Sequence, residues 1–263
     1  MGISIPFDRA AGYYDDTRRL RPETQATIIA QLAAELRGRG PCLEVGVGTG
    51  RIALDLHRSG VAMAGVDLSR PMLDRLVQKA GGQAPFPLAI ADATVLPVAD
   101  GRVGGAVFCH VLHLIEHWRQ AVAEAVRVLR PGGVLLVESA ASSDSAAGAV
   151  LRHFWSLALP GGRPRRPGLN DMTELDAALG ELGLPVRLLP PVVERTEVNL
   201  AMIIDGLEAG IQSACWDLDE AVRSSAAAAT REWARQEHGP LDAPLRREQT
   251  ITWRAYDAPG AAG

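Results

Sequence analysis

The sequence predicts an α/β fold, namely a doubly wound, mostly parallel, seven-stranded sheet with helices on both faces. Strand-like and helix-like segments alternate through residue 140. The strand-like segments are nearly continuous apolar runs, which is typical of parallel strands that are buried on both faces. A glycine-rich segment at 46–50 follows the first strand and precedes a helix. Sheets of this kind bind ligands beyond the carboxyl ends of their strands.

Apolar spacing and helix-stopping residues define the elements of the first 140 residues. Apolar side chains recur at helical spacing over 23–38, and Gly38 and Gly40 end this helix. Ser69 suits the N-cap of a helix over 70–80. The predicted strands of this part are 42–45, 61–66, 87–91, 103–109 and 133–139, and its helices are 23–38, 51–58, 70–80 and 119–129.

After residue 140 the alternation stops and helical segments dominate. Pro190 and Pro191 confine the strand predicted over 186–195 to an edge or a bulge. The other elements predicted here are helices over 145–158, 171–183, 199–215 and 217–237 and a strand over 250–256. We expect a single domain over 1–263. Its parts are an N-terminal lid and helix (1–40), a cofactor-binding core (41–140), helical cap insertions (141–185 and 199–245) and a last strand (246–256).

Composition argues against several classes of protein. The formal net charge of −4 disfavours a protein dedicated to duplex DNA. The three cysteines form no CxxC pair, so a structural zinc is not expected, and their odd number suits a reducing cytoplasm. No apolar run reaches the ~18 residues of a membrane span. We therefore expect a cytoplasmic protein without a membrane partner, and interpret the basic segment at 161–168 as a solvated loop.

The segment LEVGVGTGR at 43–51 is the strongest sign of a ligand site. Its glycines let the backbone turn sharply and approach a ligand, and the helix that follows directs free N–H groups there. Asp67 follows Gly46 by 21 residues, where a carboxylate can accept two hydrogen bonds from a ribose diol. Glu44 would repel a pyrophosphate but suits a cationic cofactor end. The alternative is a tight strand–helix turn without a ligand.

In the order of its motifs, the chain resembles the class I S-adenosylmethionine-dependent methyltransferases over about residues 10–140. LEVGVGTGR resembles the first family motif. Four further segments resemble the later family motifs, in the same order: VDLSRPML at 66–73, IADATVLPVADG at 90–101, AVFCHVLHLIEHW at 106–118 and RVLRPGGVLLV at 127–137. The resemblance implies a Rossmann-like fold and S-adenosylmethionine as cofactor. It also implies S-adenosylhomocysteine as the product and no metal.

The resemblance further implies how the adenosine part of the cofactor is held. Asp67 would accept hydrogen bonds from the ribose hydroxyls, and Leu68 and Met72 would lie near the adenine. Asp92 would accept a hydrogen bond from the adenine amino group, with Ala93 beside it. These assignments place the adenosine at the ends of the second and third predicted strands.

The methionyl end of the cofactor carries an ammonium and a carboxylate. The segment at 10–19 is similar to a lid in small-molecule members of the family, which implies that Tyr14 and Arg18 approach the carboxylate. The ammonium suits Glu44, through water or the backbone. The complete cofactor-binding set expected from the sequence is Tyr14, Arg18, Glu44, Gly46, Gly48, Gly50, Asp67, Leu68, Met72, Asp92, Ala93, Cys109 and His110.

Two histidines just past the fourth predicted strand, His110 and His113, are the candidate catalytic residues. Histidine side chains titrate near neutrality, so either could take a proton from an acceptor hydroxyl or amine. The alternative is that both only line the pocket or hydrogen-bond the backbone. The segment HLIEH at 113–117 also matches the H-x-x-E-H zinc motif. It follows a strand directly instead of lying in a long helix, so we expect no metal there.

The sequence leaves the methyl acceptor unidentified and does not distinguish O-, N- and C-methylation. Helices with apolar faces must bury them, so we expect the inserted helices to cap a mostly apolar cavity for a small molecule. The alternative is that they only extend the core. A nicotinamide-dependent oxidoreductase and an RNA-directed methyltransferase are the alternative functions. Arg51 stands where the dinucleotide fingerprint needs its third glycine, and the net charge disfavours a nucleic-acid partner.

Overall fold

The computed structural model describes residues 7–142, 146–162 and 167–260. The chain divides into two compact units. The first comprises Met1–Ala140, Pro167–Val192 and Ile251–Gly263, and the second comprises Ala141–Arg166 and Val193–Thr250. Half of the basic loop predicted at 161–168, namely 163–166, lies outside the described residues. In the described ranges, no helix is both long enough and apolar enough to cross a bilayer.

A mixed β-sheet forms the centre of the fold. The strands are β1 (Cys42–Val45), β2 (Met63–Asp67), β3 (Leu88–Ile90), β4 (Val103–Phe108), β5 (Leu129–Ser142), β6 (Val186–Leu188), β7 (Val192–Val198) and β8 (Leu245–Asp257). Their order is β3-β2-β1-β4-β5-β8-β6, and β7 pairs with β8. Four pairs, β1–β2, β1–β4, β2–β3 and β4–β5, are parallel, whereas β6 and β8 are antiparallel. The predicted α/β class with a mostly parallel sheet is confirmed.

The edge of the sheet differs from the sequence prediction. One strand was expected over 186–195, but the structure has two short strands there, so the described part of the sheet contains eight strands instead of seven. Pro190 and Pro191 have no N–H to donate to a strand ladder, and they lie in the break between β6 and β7. The last strand, β8, begins at Leu245 instead of at 250.

Helices connect the strands and follow the predicted order. They are α1 (Tyr14–Arg18), α2 (Pro22–Leu36), α3 (Ala53–Arg58), α4 (Arg70–Lys79), α5 (Trp118–Val128), α6 (Ala146–Ala158), α7 (Met172–Glu181), α8 (Leu200–Glu208) and α9 (Glu220–His238). Ser69 caps α4 as expected, since its side chain accepts a hydrogen bond from the backbone N–H of Met72. The helix predicted over 199–215 ends at Glu208, because Gly210 takes a φ of 68°, and a 3₁₀ turn follows at Ser213–Cys215.

The central strands β1 and β4 of the first unit are buried on both faces, as their continuous apolar runs predict. Cys42 of β1 packs in one hydrophobic cluster, and its neighbour Leu43 packs in the cluster of the opposite face. Val107 and Phe108 of β4 are divided in the same way. Glu44 follows the alternation and lies on the same side of β1 as Cys42, buried in the strand. A carboxyl group therefore stands in an otherwise apolar layer.

The second unit has a hydrophobic core of its own. Phe154 of α6 is fully buried, as are Ile204 and Leu207 of α8 and Ala227 of α9. These residues belong to one cluster inside the unit. The apolar faces of the inserted helices therefore do not need a cofactor pocket to be buried. That these helices cap such a pocket stays a prediction.

Candidate active site

A glycine-rich turn leaves the carboxyl end of β1. Gly46, Gly48 and Gly50 have φ angles of 74°, 53° and 77°, which favour glycine over residues with a side chain. At Gly46 the reason is also steric, because a Cβ there would lie 2.6 Å from Cγ2 of Val111, in the segment after β4. The turn after β1 and the segment after β4 are thereby brought into close contact.

Asp67, the last residue of β2, stabilises this turn. Its Oδ2 accepts a hydrogen bond from the backbone N–H of Gly48 at 2.7 Å, and its Oδ1 accepts one from the N–H of Ser69 at 2.8 Å. Burial raises the pKa of Asp67, and the backbone hydrogen bonds oppose that rise. A carboxylate has about four acceptor positions. Asp67 can therefore organise the turn and still accept hydrogen bonds from a ligand.

A pocket in the first unit opens at the carboxyl ends of β1, β2 and β4, with an empty volume of about 670 Å³ that includes its open mouth. The strand order reverses between β1 and β4, and ligands of open α/β sheets bind at such a position. The lining residues are Phe7, Tyr14, Val45, Gly46, Gly48, Asp67, Leu68, Met72, Ala91, Asp92, Ala93, Cys109, His110, Val111, Leu114 and Ile115.

The pocket wall contains most of the residues that the sequence singled out. These are Tyr14, Gly46, Gly48, Asp67, Leu68, Met72, Asp92, Ala93, Cys109 and His110. Arg18, Glu44, Gly50 and His113 are not among the lining residues. Gly50 instead packs beneath the turn, where a Cβ would lie 2.8 Å from side-chain atoms of Leu54 and Leu76.

The N-terminal helix α1 is attached to the glycine-rich turn through Asp15. Oδ1 of Asp15 accepts a hydrogen bond from Oγ1 of Thr49 at 2.6 Å, and Oδ2 forms an ion pair with Nζ of Lys79 at 2.9 Å. The neighbouring Tyr14 lines the pocket, and burial raises its pKa to about 12. Arg18, at the end of α1, donates to the backbone oxygen of Thr17 at 3.3 Å. The predicted lid thus places its tyrosine, but not its arginine, in the pocket wall.

Asp92 lies in the segment that follows β3. Its Oδ1 accepts hydrogen bonds from both the backbone N–H and the Oγ1 hydroxyl of Thr94, at 2.9 Å and 2.8 Å. These bonds fix the orientation of the carboxylate in the pocket wall. Its second oxygen, Oδ2, is therefore the candidate acceptor for a ligand donor such as an amino group.

Glu44 is a buried carboxyl group with an unused oxygen. It is 2% exposed, and no described residue hydrogen-bonds its Oε2. Burial raises the pKa of Glu44 to about 8, although the charge of Arg51 and a hydrogen bond from the backbone of Ala53 lower it. An unpaired buried acceptor costs free energy. Glu44 therefore suits a partner that brings a donor and a positive charge.

A cluster that the sequence did not predict joins β4 to β5. Glu138 on β5 has a side-chain exposure of 4% and accepts from three groups. Nε2 of His110 lies 3.0 Å from its Oε1, while the Cys109 thiol and Nη2 of Arg51 lie 2.6 Å and 3.2 Å from its Oε2. Burial raises the pKa of Glu138, but these partners outweigh it and bring the value to about 2. Glu138 is therefore a carboxylate. Its only sign in the sequence is that it follows the apolar run at 133–137 within a predicted strand.

The HLIEH segment does not form a zinc-binding helix. Leu112–Leu114 is a 3₁₀ turn, and α5 begins only at Trp118. The backbone oxygen of His113 accepts a hydrogen bond from the N–H of Gly168 at 3.1 Å, so this turn is joined to the segment before α7. Within the ranges that the structure describes, no group of three or more His, Cys, Asp or Glu side chains is arranged to hold a metal ion.

One wall of the pocket is apolar, and the sequence analysis did not identify the residues that form it. It is formed by Phe7, Val111, Leu114 and Ile115. Leu114 and Ile115 are buried and come from the segment after β4. The same segment that carries His110 therefore also supplies an apolar surface beside it.

Comparisons with known proteins agree with this geometry. A family model described as a methyltransferase domain matches residues 43–137. The ubiquinone/menaquinone biosynthesis C-methyltransferase of Desulfotalea psychrophila is 32% identical over 139 residues, which cover 50% of this chain and 55% of that protein. The demethylmenaquinone methyltransferase of Mycolicibacterium paratuberculosis is 30% identical over 162 residues, which cover 60% of this chain and 68% of that protein.

The chain spans about half the length of the first of these relatives. Among solved structures, the YcgJ protein of Bacillus subtilis superimposes with a TM-score of 0.60, covering 91% of this chain and 99% of that chain at 17% identity. At this identity the likeness concerns the fold and not the activity.

Proposed function

The chain belongs to the S-adenosylmethionine-dependent methyltransferases, and we propose that it transfers a methyl group from S-adenosylmethionine to a small-molecule acceptor by in-line displacement. The observation that carries this proposal is the pocket at the ends of β1, β2 and β4. Asp67 and Asp92 present carboxylates there, each held in place by backbone hydrogen bonds.

The residues of the site fit the chemistry of this cofactor. The carboxylates of Asp67 and Asp92 would accept hydrogen bonds from the ribose diol and the adenine amino group. Leu68 and Met72 offer apolar surface to the adenine ring. Glu44 is not among the lining residues, but its buried Oε2 has no hydrogen-bond partner among the described residues and would accept from the ammonium of the methionyl end. When bound, the cofactor supplies a methyl group on a sulfonium, which is already a good leaving group.

The chain's own contribution is then mainly to hold the cofactor and the acceptor and to orient them toward each other. Alignment of the reacting groups alone can supply about 7–11 kcal/mol of the barrier. The closely packed turn at Gly46 and the hydrogen-bonded Asp67 give the pocket a rigid floor, and Tyr14 of α1 adds a wall. On one side the apolar residues Leu114 and Ile115 line the pocket and would exclude water from the bound reactants.

The apolar wall of the pocket also supports the proposal that the acceptor is small and largely apolar. Phe7, Val111, Leu114 and Ile115 form a surface with no charged side chain, beside His110. A nucleic acid would instead require an approach rich in lysine and arginine, whereas the formal net charge of the chain is −4. Of the relatives described above, one is named for ubiquinone/menaquinone biosynthesis and the other is a demethylmenaquinone methyltransferase.

Binding of the cofactor is the first test. Isothermal titration calorimetry should show binding of S-adenosylmethionine and S-adenosylhomocysteine, and none of NAD or NADP. Asp67→Ala should weaken S-adenosylhomocysteine binding by about 2–3 kcal/mol, or roughly 30- to 150-fold, because a charged acceptor is lost. The control is Asp74→Ala, which removes an exposed carboxylate of α4 that pairs with Arg70. It should leave the affinity unchanged.

Three outcomes would contradict the proposal. Binding of NAD in place of S-adenosylhomocysteine would favour an oxidoreductase. Equal affinities for wild type and Asp67→Ala would remove the ribose assignment. Salt-sensitive binding of transfer RNA would favour the RNA-directed alternative over a small-molecule acceptor.

A further inference from the structure

The backbone at His110 is unusual for its residue type. His110 has a φ of 54°, and no other described residue except glycine has a positive φ. Such a conformation is unfavourable for a residue with a side chain and persists only where the surroundings enforce it. Here the side chain lines the pocket, and its Nε2 lies 3.0 Å from Oε1 of Glu138. The unfavourable backbone conformation therefore coincides with a defined side-chain position.

Register explains why these two residues meet. In the parallel ladder of β4 and β5, Phe108 is opposite Val137. Cys109 and Glu138 are the next residues along, the first directly after β4 and the second within β5, and His110 follows Cys109. Glu138 also receives hydrogen bonds from Cys109 and Arg51 on its second oxygen. Because both of its oxygens have partners, this carboxylate is fixed in position.

The contact determines which nitrogen of His110 carries the proton. A carboxylate only accepts hydrogen bonds, so the nitrogen beside it must donate. In the neutral imidazole only one nitrogen carries hydrogen. If Nε2–H donates to Glu138, Nδ1 holds a free electron pair. A histidine in the pocket wall would then present a base on its other nitrogen.

We propose that Glu138 is a positioning residue that holds His110 in the Nε2–H tautomer, so that Nδ1 takes a proton from the methyl acceptor. This inference rests on the proposed function and deepens it, since it specifies the acceptor class: a molecule whose nucleophilic atom carries a proton, as a hydroxyl group or an activated C–H group does. An acceptor that has no proton to lose, such as a tertiary amine or a thioether, would not need this arrangement.

Proton transfer to His110 accompanies methyl transfer to the acceptor. A bond forms between the nucleophilic atom of the acceptor and the methyl carbon, and the sulfur–methyl bond breaks with its electron pair passing to sulfur. The proton of the acceptor goes to Nδ1 of His110. The resulting imidazolium lies against the carboxylate of Glu138, where an opposite charge stabilises it. The proton then passes to water when the pocket opens.

Arg51 and Cys109 have a supporting part. Both donate to the Oε2 side of Glu138, which leaves Oε1 for His110. The positive charge of Arg51 offsets that of the buried carboxylate, and so Glu138 remains ionised before any proton reaches His110. The proton of the acceptor therefore stays on His110 and does not pass to Glu138.

Nitrogen-15 NMR of the imidazole side chains tests this without an acceptor or a cofactor. In the wild-type protein, the His110 signal, assigned by its loss in His110→Gln, should show the Nε2–H tautomer with a proton that is protected from solvent exchange. Glu138→Gln should lower the ratio of Nε2–H to Nδ1–H tautomer by about tenfold or more, because a charge-assisted hydrogen bond is lost. The matched control is Glu116→Gln, an exposed acid in the same segment, which should leave the ratio unchanged.

An Nδ1–H tautomer of wild-type His110, or an Nε2 proton in rapid exchange, would overturn the proposal. So would an unchanged tautomer ratio in a folded Glu138→Gln variant. If that variant does not fold, the exchange protection of the wild-type signal still decides the question. Calorimetry with S-adenosylhomocysteine separates this inference from the proposed function. Wild-type protein that does not bind S-adenosylhomocysteine would contradict the function, whereas binding with the wrong His110 tautomer would contradict only the role of Glu138.

Discussion

Replacing Glu44 with Gln is expected to change how the stability of the cofactor-free protein depends on pH. The pKa of Glu44 is raised by burial from its model-compound value of 4.5 to about 8. Between these values the unfolded chain has lost the proton while the folded protein keeps it. The free energy of unfolding of the wild type should therefore fall as pH rises through this window, by up to ~1.4 kcal/mol per pH unit.

The magnitude follows from the width of the window. A window of about 3.5 pH units gives a stability loss of up to about 5 kcal/mol between pH 4.5 and pH 8. Gln at this position carries no titrating proton, so the variant should lack this loss. Any cost of fitting the amide is independent of pH. The informative quantity is thus the difference in free energy of unfolding between variant and wild type, and how this difference changes with pH.

Urea unfolding at pH 5 and pH 8 measures this difference. Relative to wild type, Glu44→Gln should be more stable at pH 8 than at pH 5 by several kcal/mol, within the upper limit of about 5 kcal/mol. The control is Glu181→Gln, which removes an exposed carboxyl group of α7 and should follow the wild-type curve. Parallel curves for wild type and Glu44→Gln would refute the assignment of a raised pKa to Glu44.

The same group should couple cofactor binding to proton release. If the methionyl ammonium lies at Oε2 of Glu44, it favours the ionised carboxylate. Binding of S-adenosylhomocysteine at pH 7 should then release close to one proton, which calorimetry in buffers of different ionisation enthalpy detects. Adenosine, which has no ammonium, should release none, and neither should S-adenosylhomocysteine with Glu44→Gln. The three combinations compared are wild type with S-adenosylhomocysteine, wild type with adenosine, and Glu44→Gln with S-adenosylhomocysteine. Equal proton release in all three would contradict the assignment of Glu44 to the ammonium.

Two further changes test the packing around the site. Gly46→Ala should destabilise the protein by about 1–3 kcal/mol in urea unfolding, because a Cβ would lie 2.6 Å from Val111 in a backbone with φ of 74°. The control is Gly12→Ala, because no described atom lies within 4 Å of the Cβ added there. Tyr256→Phe should cost about 1–2 kcal/mol, because the tyrosine hydroxyl donates to Oδ1 of Asp176 at 2.6 Å. A loss below 0.5 kcal/mol in either variant would refute the corresponding contact.

Much of the first unit was predictable because its signals are local. Apolar runs located β1, β2, β4 and β5, and the capping chemistry of Ser69 located the start of α4. The glycines after β1 and Asp67 after β2 follow from the same reasoning, since parallel strands place their carboxyl ends at one edge. Ten of the candidate residues lie in the pocket wall for this reason.

The cluster around Glu138 was not predictable in this way. Arg51 and Cys109 are 58 residues apart in the sequence, and Arg51 and Glu138 are 87 apart. Their contact depends on β4 and β5 being neighbours in a particular register, which no local pattern specifies. In the sequence, Arg51 was informative only because it replaces a glycine. Its interaction with a buried carboxylate appears only once the sheet order is known.

The inserted helices illustrate a different limit. Their apolar spacing correctly indicates that one face of each helix is buried, but not which surface covers it. Phe154 of α6 and Ile204 of α8 are buried in the core of the second unit itself. Met202, an apolar residue of the same helix α8, is 63% exposed. Periodicity therefore predicted burial, while the partner of each face required the tertiary structure.

The two buried glutamates of the first unit show how the surroundings give one residue type opposite roles. Glu44 has a backbone donor and an unused oxygen, and its pKa rises to about 8, so it remains neutral until a cation arrives. Glu138 has three side-chain donors, and its pKa falls to about 2, so it stays charged throughout. Pairs of groups whose surroundings move their pKa values apart are typical of active sites. The neutral glutamate fits a binding role toward an ammonium, and the charged one fits the control of a neighbouring proton on His110.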